Sequence, residues 1–241
     1  MRRAAAALAV AAALLATGCE TTQELSARIG RSLGHQSAAA ATLNLGAVNH
    51  RVRVLRSVLV RAAGQSAVAV ELSNPGASAQ AAFPVLIAVR DAEGKTVYRN
   101  DAGGIEPSLQ HFALLPEHST EWWVDNEVLA AAPTSVNVAV GASAAAVPSK
   151  TPVIATSAVS ASASFPGPHV SATVSNRSAI AQRQLAVYAV ILHGNSVVGA
   201  GRAIVTALGA HASASVVIPV IGSVDGRTIS VTAAPEQLPD L

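Results

Sequence analysis

Leu72-Ser73-Asn74-Pro75-Gly76-Ala77-Ser78-Ala79-Gln80 recurs 102 residues later as Val174-Ser175-Asn176-Arg177-Ser178-Ala179-Ile180-Ala181-Gln182. Each stretch reads as the end of a strand, a turn, and the start of another strand. Asn, Ser and Gly favour turns because a short polar side chain bonds its own backbone, or because the missing Cβ relaxes the allowed dihedrals. The same register pairs Phe83 with Leu185, Val85 with Val187 and Val89 with Ile191.

Further along, Leu115-Pro116-Glu117-His118-Ser119 matches Leu208-Gly209-Ala210-His211-Ala212 at a spacing of 93, which also aligns Val136 with Ile229 and Val138 with Val231. The pattern is a tandem duplication of a unit of about 100 residues, the size of an immunoglobulin-like sandwich. The fall in spacing from 102 to 93 gives the first unit nine extra residues, placed near Arg99–Gln110.

Short runs of β-type residues bounded by turn signals predict strands. In the first unit they are Val52–Val60, Ala67–Asn74, Val85–Arg90, Thr96–Asn100, Ser119–Asp125 and Ser135–Val140. In the second they are Ile154–Ala163, His169–Asn176, Arg183–Leu192, Ser196–Ala203, Ala212–Val220 and Thr228–Ala233. Hairpin turns are expected at Asp91-Ala92-Glu93-Gly94 and His193-Gly194-Asn195, since Gly and Asn tolerate the positive φ of tight hairpins. The expected fold is all-β: two tandem immunoglobulin-like β-sandwiches, over residues 47–147 and 148–241.

The start of the chain is different in kind. Arg2 and Arg3 precede an apolar stretch, Ala4 to Ala16, of thirteen residues. That is shorter than the roughly 20 residues needed to span a bilayer, and it ends in small residues, as a cleavable export signal does. Residues 20–46 are rich in Thr, Ser, Gln and Ala and read as a tether. Leu25, Ile29 and Leu33 recur at helical spacing there, over a stretch shorter than an isolated helix requires.

Removing residues 1–18 with Arg2 and Arg3 leaves 14 basic against 14 acidic residues. A neutral chain lacks the basic stripe that holds phosphates, so nucleic acid is not an expected partner. Half the residues are hydrophobic (51%), yet the chain has only three Phe, two Tyr and two Trp. Its core therefore depends on backbone pairing and β-branched packing.

No catalytic motif stands out. The chain lacks a P-loop and closely spaced histidine ligands of the kind zinc requires. His118 and His211 occupy equivalent turn positions, which points to the scaffold. No cofactor and no metal is expected, and the chain reads as a non-enzyme.

Binding residues concentrate on loops, so the enlarged segment supplies Tyr98, Arg99, Asp101 and His111 as candidate contact residues. Trp122 joins them. Adjacent strand residues face opposite ways, and the repeat aligns Trp123 with Val216 and Trp122 with Ser215. Trp123 is then the core ring, and Trp122 faces solvent or a partner unless the neighbouring unit or the enlarged loop covers it. A ligand pocket, if there is one, is expected under the 99–118 segment and between the two units, because pockets favour such junctions.

Two resemblances add to this. Leu14-Leu15-Ala16-Thr17-Gly18-Cys19 resembles the bacterial lipobox, with Ala16 where a Leu is usual. The resemblance implies a signal peptide over 1–18, diacylglycerol on Cys19, and a lipid-anchored, extracytoplasmic protein with 19–46 as tether. Cys19 is the only cysteine. Glu20 stands where the lipoprotein family's inner-membrane retention signal has Asp, which implies an outer membrane where one exists and the outer face of the cell membrane otherwise.

Val170 to Val217 resembles the FxLYD-type and related immunoglobulin-like domains of bacterial surface lipoproteins, over about 50 residues: an Asn-Ser turn, an apolar strand, a hairpin and a second turn. It implies a binding or structural module with an envelope protein as partner. The alternative is an accessory lipoprotein that presents a ligand to a transporter or envelope enzyme.

Overall fold

The computed structural model describes residues 43, 45–143, 147, 150–165, 167–226, 228–236 and 238. Cys19, the signal-like stretch and nearly all of the expected tether lie outside them.

The structure is all-β. Among the described residues, seven strands and a 3-10 turn build the first copy: β1 (Arg53–Ala62), β2 (Gln65–Asn74), β3 (Gln80–Arg90), β4 (Thr96–Arg99), β5 (His111–Leu115), β6 (Ser119–Asp125) and β7 (Ser135–Val140), with the turn at Pro107–Leu109. The second copy has β8 (Ile154–Ser162), β9 (His169–Asn176), β10 (Gln182–His193), β11 (Ser196–Leu208), β12 (Ser213–Gly222) and β13 (Thr228–Ala234). Every sheet is antiparallel. No helix among the described residues is long and apolar enough to cross a membrane.

The duplicated turn is the same device twice. Asn74 Nδ2 donates to the carbonyls of Ser78 (2.9 Å) and Pro116 (2.9 Å), while its Oδ1 accepts from the Gly76 amide at 3.1 Å. Asn176 Nδ2 donates to Ile180 (2.8 Å) and Gly209 (3.0 Å), and its Oδ1 accepts from the Ser178 amide at 3.0 Å. One buried amide thus clips together two loops that are distant in sequence, satisfying groups that would otherwise be stranded.

His118 and His211 share a positive φ of 49° and 54°, and their amides donate to Gly76 and Ser178 respectively. The expectation that this position belongs to the scaffold is met. The hairpins also fall as expected, with Gly94 and Gly194 at φ 80° and 61°.

Pairing recurs in register. Gln80 faces Leu115 on β5, and Gln182 faces Leu208 on β11. Ala88 faces Arg99 on β4, and Val190 faces Ala200 on β11. The single long strand β11 therefore corresponds to β4 plus β5, split by the insertion. Residues 100–109 stand where the second copy has only 201–202. His111–Leu115, absent from the expected strands, is the resumed strand beyond the split.

In the first copy, β1-β2-β6 forms one sheet, and β3 pairs with β4 and β5 along one edge and β7 along the other. In the second copy the order is β13-β10-β11-β12-β9-β8. Its two ends meet, since Thr156 on β8 donates to the Val231 carbonyl on β13 at 3.0 Å.

The copies share a core. Along β10, Leu185, Val187, Ala189 and Ile191 belong to the second copy's own cluster. The alternate residues Ala186, Tyr188, Val190 and Leu192 belong to a cluster with Val68, Val70, Phe83, Phe112, Trp122 and Trp123. A strand apolar on both faces is one buried on both faces. Tyr188 stacks on Phe112, ring centroids 6.2 Å apart, and Phe112 on Phe83 at 5.7 Å. Gly222, at φ 106°, sits where β12 passes β1: a Cβ there would run into the Val198 carbonyl and lie 2.8 Å from Val60 Cγ1.

Candidate functional site at the junction of the copies

The enlarged segment turns inward. Its 3-10 turn buries Ser108 and Leu109, and Asn100, fully buried, holds the base of the loop. Asn100 Nδ2 donates to the Val85 and Leu109 carbonyls at 2.7 and 2.6 Å, and its Oδ1 accepts from the Ile87 amide at 2.8 Å. The loop is thereby fastened to β3 on one side.

On the other side it is fastened to the second copy. Arg202, on β11 with 4% of its side chain exposed, forms two parallel bonds to Glu106 at 2.9 and 3.0 Å. The same guanidinium donates to Ser108 Oγ and to Glu127 Oε1, the latter at 2.8 Å. Trp123 Nε1 and Tyr188 Oη both donate to the Ser108 carbonyl, at 3.0 and 3.3 Å. A planar five-donor fork suits such a multi-partner position better than an ammonium would.

Burial would raise the Glu106 carboxyl, but the bonds from Arg202 and Ser108 outweigh it and hold it below its ordinary value. The same balance operates in reverse on Arg202, where burial opposes the charge and Glu106 more than restores it. Asp125, fully buried, is pushed up to about 6 by burial, against the bonds from the Glu127 amide and Tyr98. Glu236 is pushed up to about 7, by burial first and by Glu106 second. The Ser108 hydroxyl donates its proton to Glu106 at 2.6 Å. Chemically this is a clasp, with every strong donor committed to a named acceptor.

The sequence candidates separate. Tyr98 points inward and donates to Asp125 at 2.8 Å, and burial followed by the Asp125 charge raises its hydroxyl far above the ordinary range. Arg99 and Asp101 pair with each other near the surface. His111 is half-buried at the start of β5, where burial lowers its ring despite a bond with Pro107.

Trp122 is only 6% exposed, so of the two surroundings left open for its ring it has the covered one. Trp122 and Trp123 both belong to the core cluster that the copies share. Arg56 lies over the ring, 4.9 Å from its centroid, an arrangement worth about 0.5–2 kcal/mol. Arg56 also binds Glu71 at 2.6 Å and the Asn195 carbonyl at 2.9 Å, tying β1 to the second copy's hairpin.

Sequence reasoning missed Glu106, Ser108, Asp125, Glu127 and Arg202. The available signal was Arg202 itself, a lone charge inside the small and apolar run Gly199-Ala200-Gly201-Arg202-Ala203-Ile204-Val205.

A cavity of about 260 Å³ opens beside this junction. Its walls are Phe112, Leu114 and Pro116 from the first copy and Val153, Ile154 and Ala233–Pro235 from the second, with Glu121, Thr151 and Thr232 as polar side chains. It lies where the sequence places a pocket, against the 99–118 segment and between the two units. Among the described residues no three His, Cys, Asp or Glu side chains are grouped as metal ligands. The sequence matches no protein-family model, and no curated protein matches it.

Proposed function

We propose that the chain is a non-catalytic, lipid-anchored protein of the bacterial cell envelope, whose β-sandwich body mediates contacts with an envelope protein. The carrying observation is the N-terminal order: a basic start, thirteen apolar residues and small residues leading to the only cysteine, Cys19. Two acyl chains provide firm anchoring at about 0.8 kcal/mol per buried CH₂. The body attached to them is one whose polar junction groups serve structure, which suits a rigid contact module. Immunoglobulin-like sandwiches of the FxLYD type are part of the same proposal.

Cys19→Ser is the direct test. The wild-type protein takes up a palmitate analogue and stays with membranes through a high-salt wash, and the variant does neither. A variant that still labels and still sediments with membranes overturns the anchor.

A second reading, an accessory lipoprotein that presents a small ligand, is favoured by the cavity between the copies.

A further inference from the structure

The carboxylate in that cavity is out of keeping with its surroundings. Glu121 lies on β6, and burial raises its carboxyl above the ordinary range with only the Thr232 hydroxyl bond acting against this. That bond, Thr232 Oγ1 to Glu121 Oε2, is 2.8 Å. No Lys, Arg or His among the described residues forms an ion pair with Glu121. Glu121 is half-buried, and a carboxylate drawn partly out of water beside no opposite charge pays that desolvation without a charge to offset it.

The scaffold does not require an acid here. At the spacing of 93 that relates these strands, Glu121 corresponds to Ala214. Apart from Thr151, the remaining wall residues, Phe112, Leu114, Pro116, the 152–154 segment and the 233–235 segment, carry apolar side chains. An apolar cavity of about 150 Å³ already admits benzene, so about 260 Å³ has room for a ring with a short polar arm.

We propose that this cavity is a binding site for a small primary amine with an apolar body, its ammonium group held by Glu121 and Thr232 and its body held by the apolar walls. The ammonium group would donate to Glu121 Oε1 and to Thr232 Oγ1, completing the charge pair that the protein alone leaves open. The site is independent of the lipid anchor.

Benzylamine, benzyl alcohol and benzoate are suitable probes, titrated separately into the full chain in detergent with methyl-labelled alanine and isoleucine. Benzylamine should shift the Ala233, Ala234 and Ile154 methyl signals saturably, and benzyl alcohol should need at least about tenfold more, the worth of one charge-assisted bond. Benzoate should not bind. Glu121→Gln should bring the amine and the alcohol within about twofold of each other. Val153→Trp, at an exposed wall position, should block both while leaving signals remote from the cavity in place. Equal affinity for amine and alcohol, no saturable shift at these methyls, or benzylamine binding undiminished in Val153→Trp would each overturn the proposal.

Discussion

β3 and β10 occupy the same place in the two copies, yet they are buried differently. On β3, Phe83, Val85, Ile87 and Val89 are buried while Ala82, Leu86 and Ala88 are only partly so. On β10 every residue from Leu185 to Leu192 is buried. The shared register fixes which residues pair, and the packing partner decides how many faces become core. The second copy offers its outer face to the first, and the first extends its insertion back to Arg202. The two copies follow one pairing pattern, and the asymmetry between them joins the two into one body.

The largest effect should come from removing the clasp. Arg202→Ala is expected to cost about 2–4 kcal/mol, below the full figure for a broken buried pair because Glu106 keeps solvent access. Chemical denaturation measures it directly. The corresponding loss should be absent from Arg183→Ala, an exposed arginine on β10 in the same copy. Equal costs for the two would remove the clasp from the account.

The duplicated turn sharpens the comparison from the other side. Asn74→Ala and Asn176→Ala each strand buried carbonyls and should cost about 1–3 kcal/mol apiece. Because the two clips are geometrically alike, their costs should agree within about 1 kcal/mol. A silent Asn176→Ala beside a damaging Asn74→Ala would mean that the copies do not rely on the same device.

Much of the fold was legible in the sequence. The Asn turn, the two spacings and the location of the insertion all reappear as hydrogen bonds and pairings, because turn chemistry and strand alternation are local. The interface was less accessible. The surroundings of Trp122 stayed open because alternation reports which face a residue occupies and is silent on what covers that face. His111–Leu115 was passed over because an interrupted strand loses the length and the flanking turn signals by which strands are recognised. The clasp escaped because Glu106 and Arg202 are 96 positions apart in the chain and belong to no repeated motif: they lie where the two copies cease to match.

The central claim is that the copies share one core and are stable only together. Scanning calorimetry of the full chain tests it most directly. The shared cluster of β10 with the first copy predicts a single cooperative transition with calorimetric and van't Hoff enthalpies in agreement. Two resolved transitions, each separately affected by Asn74→Ala and by Asn176→Ala, would contradict it.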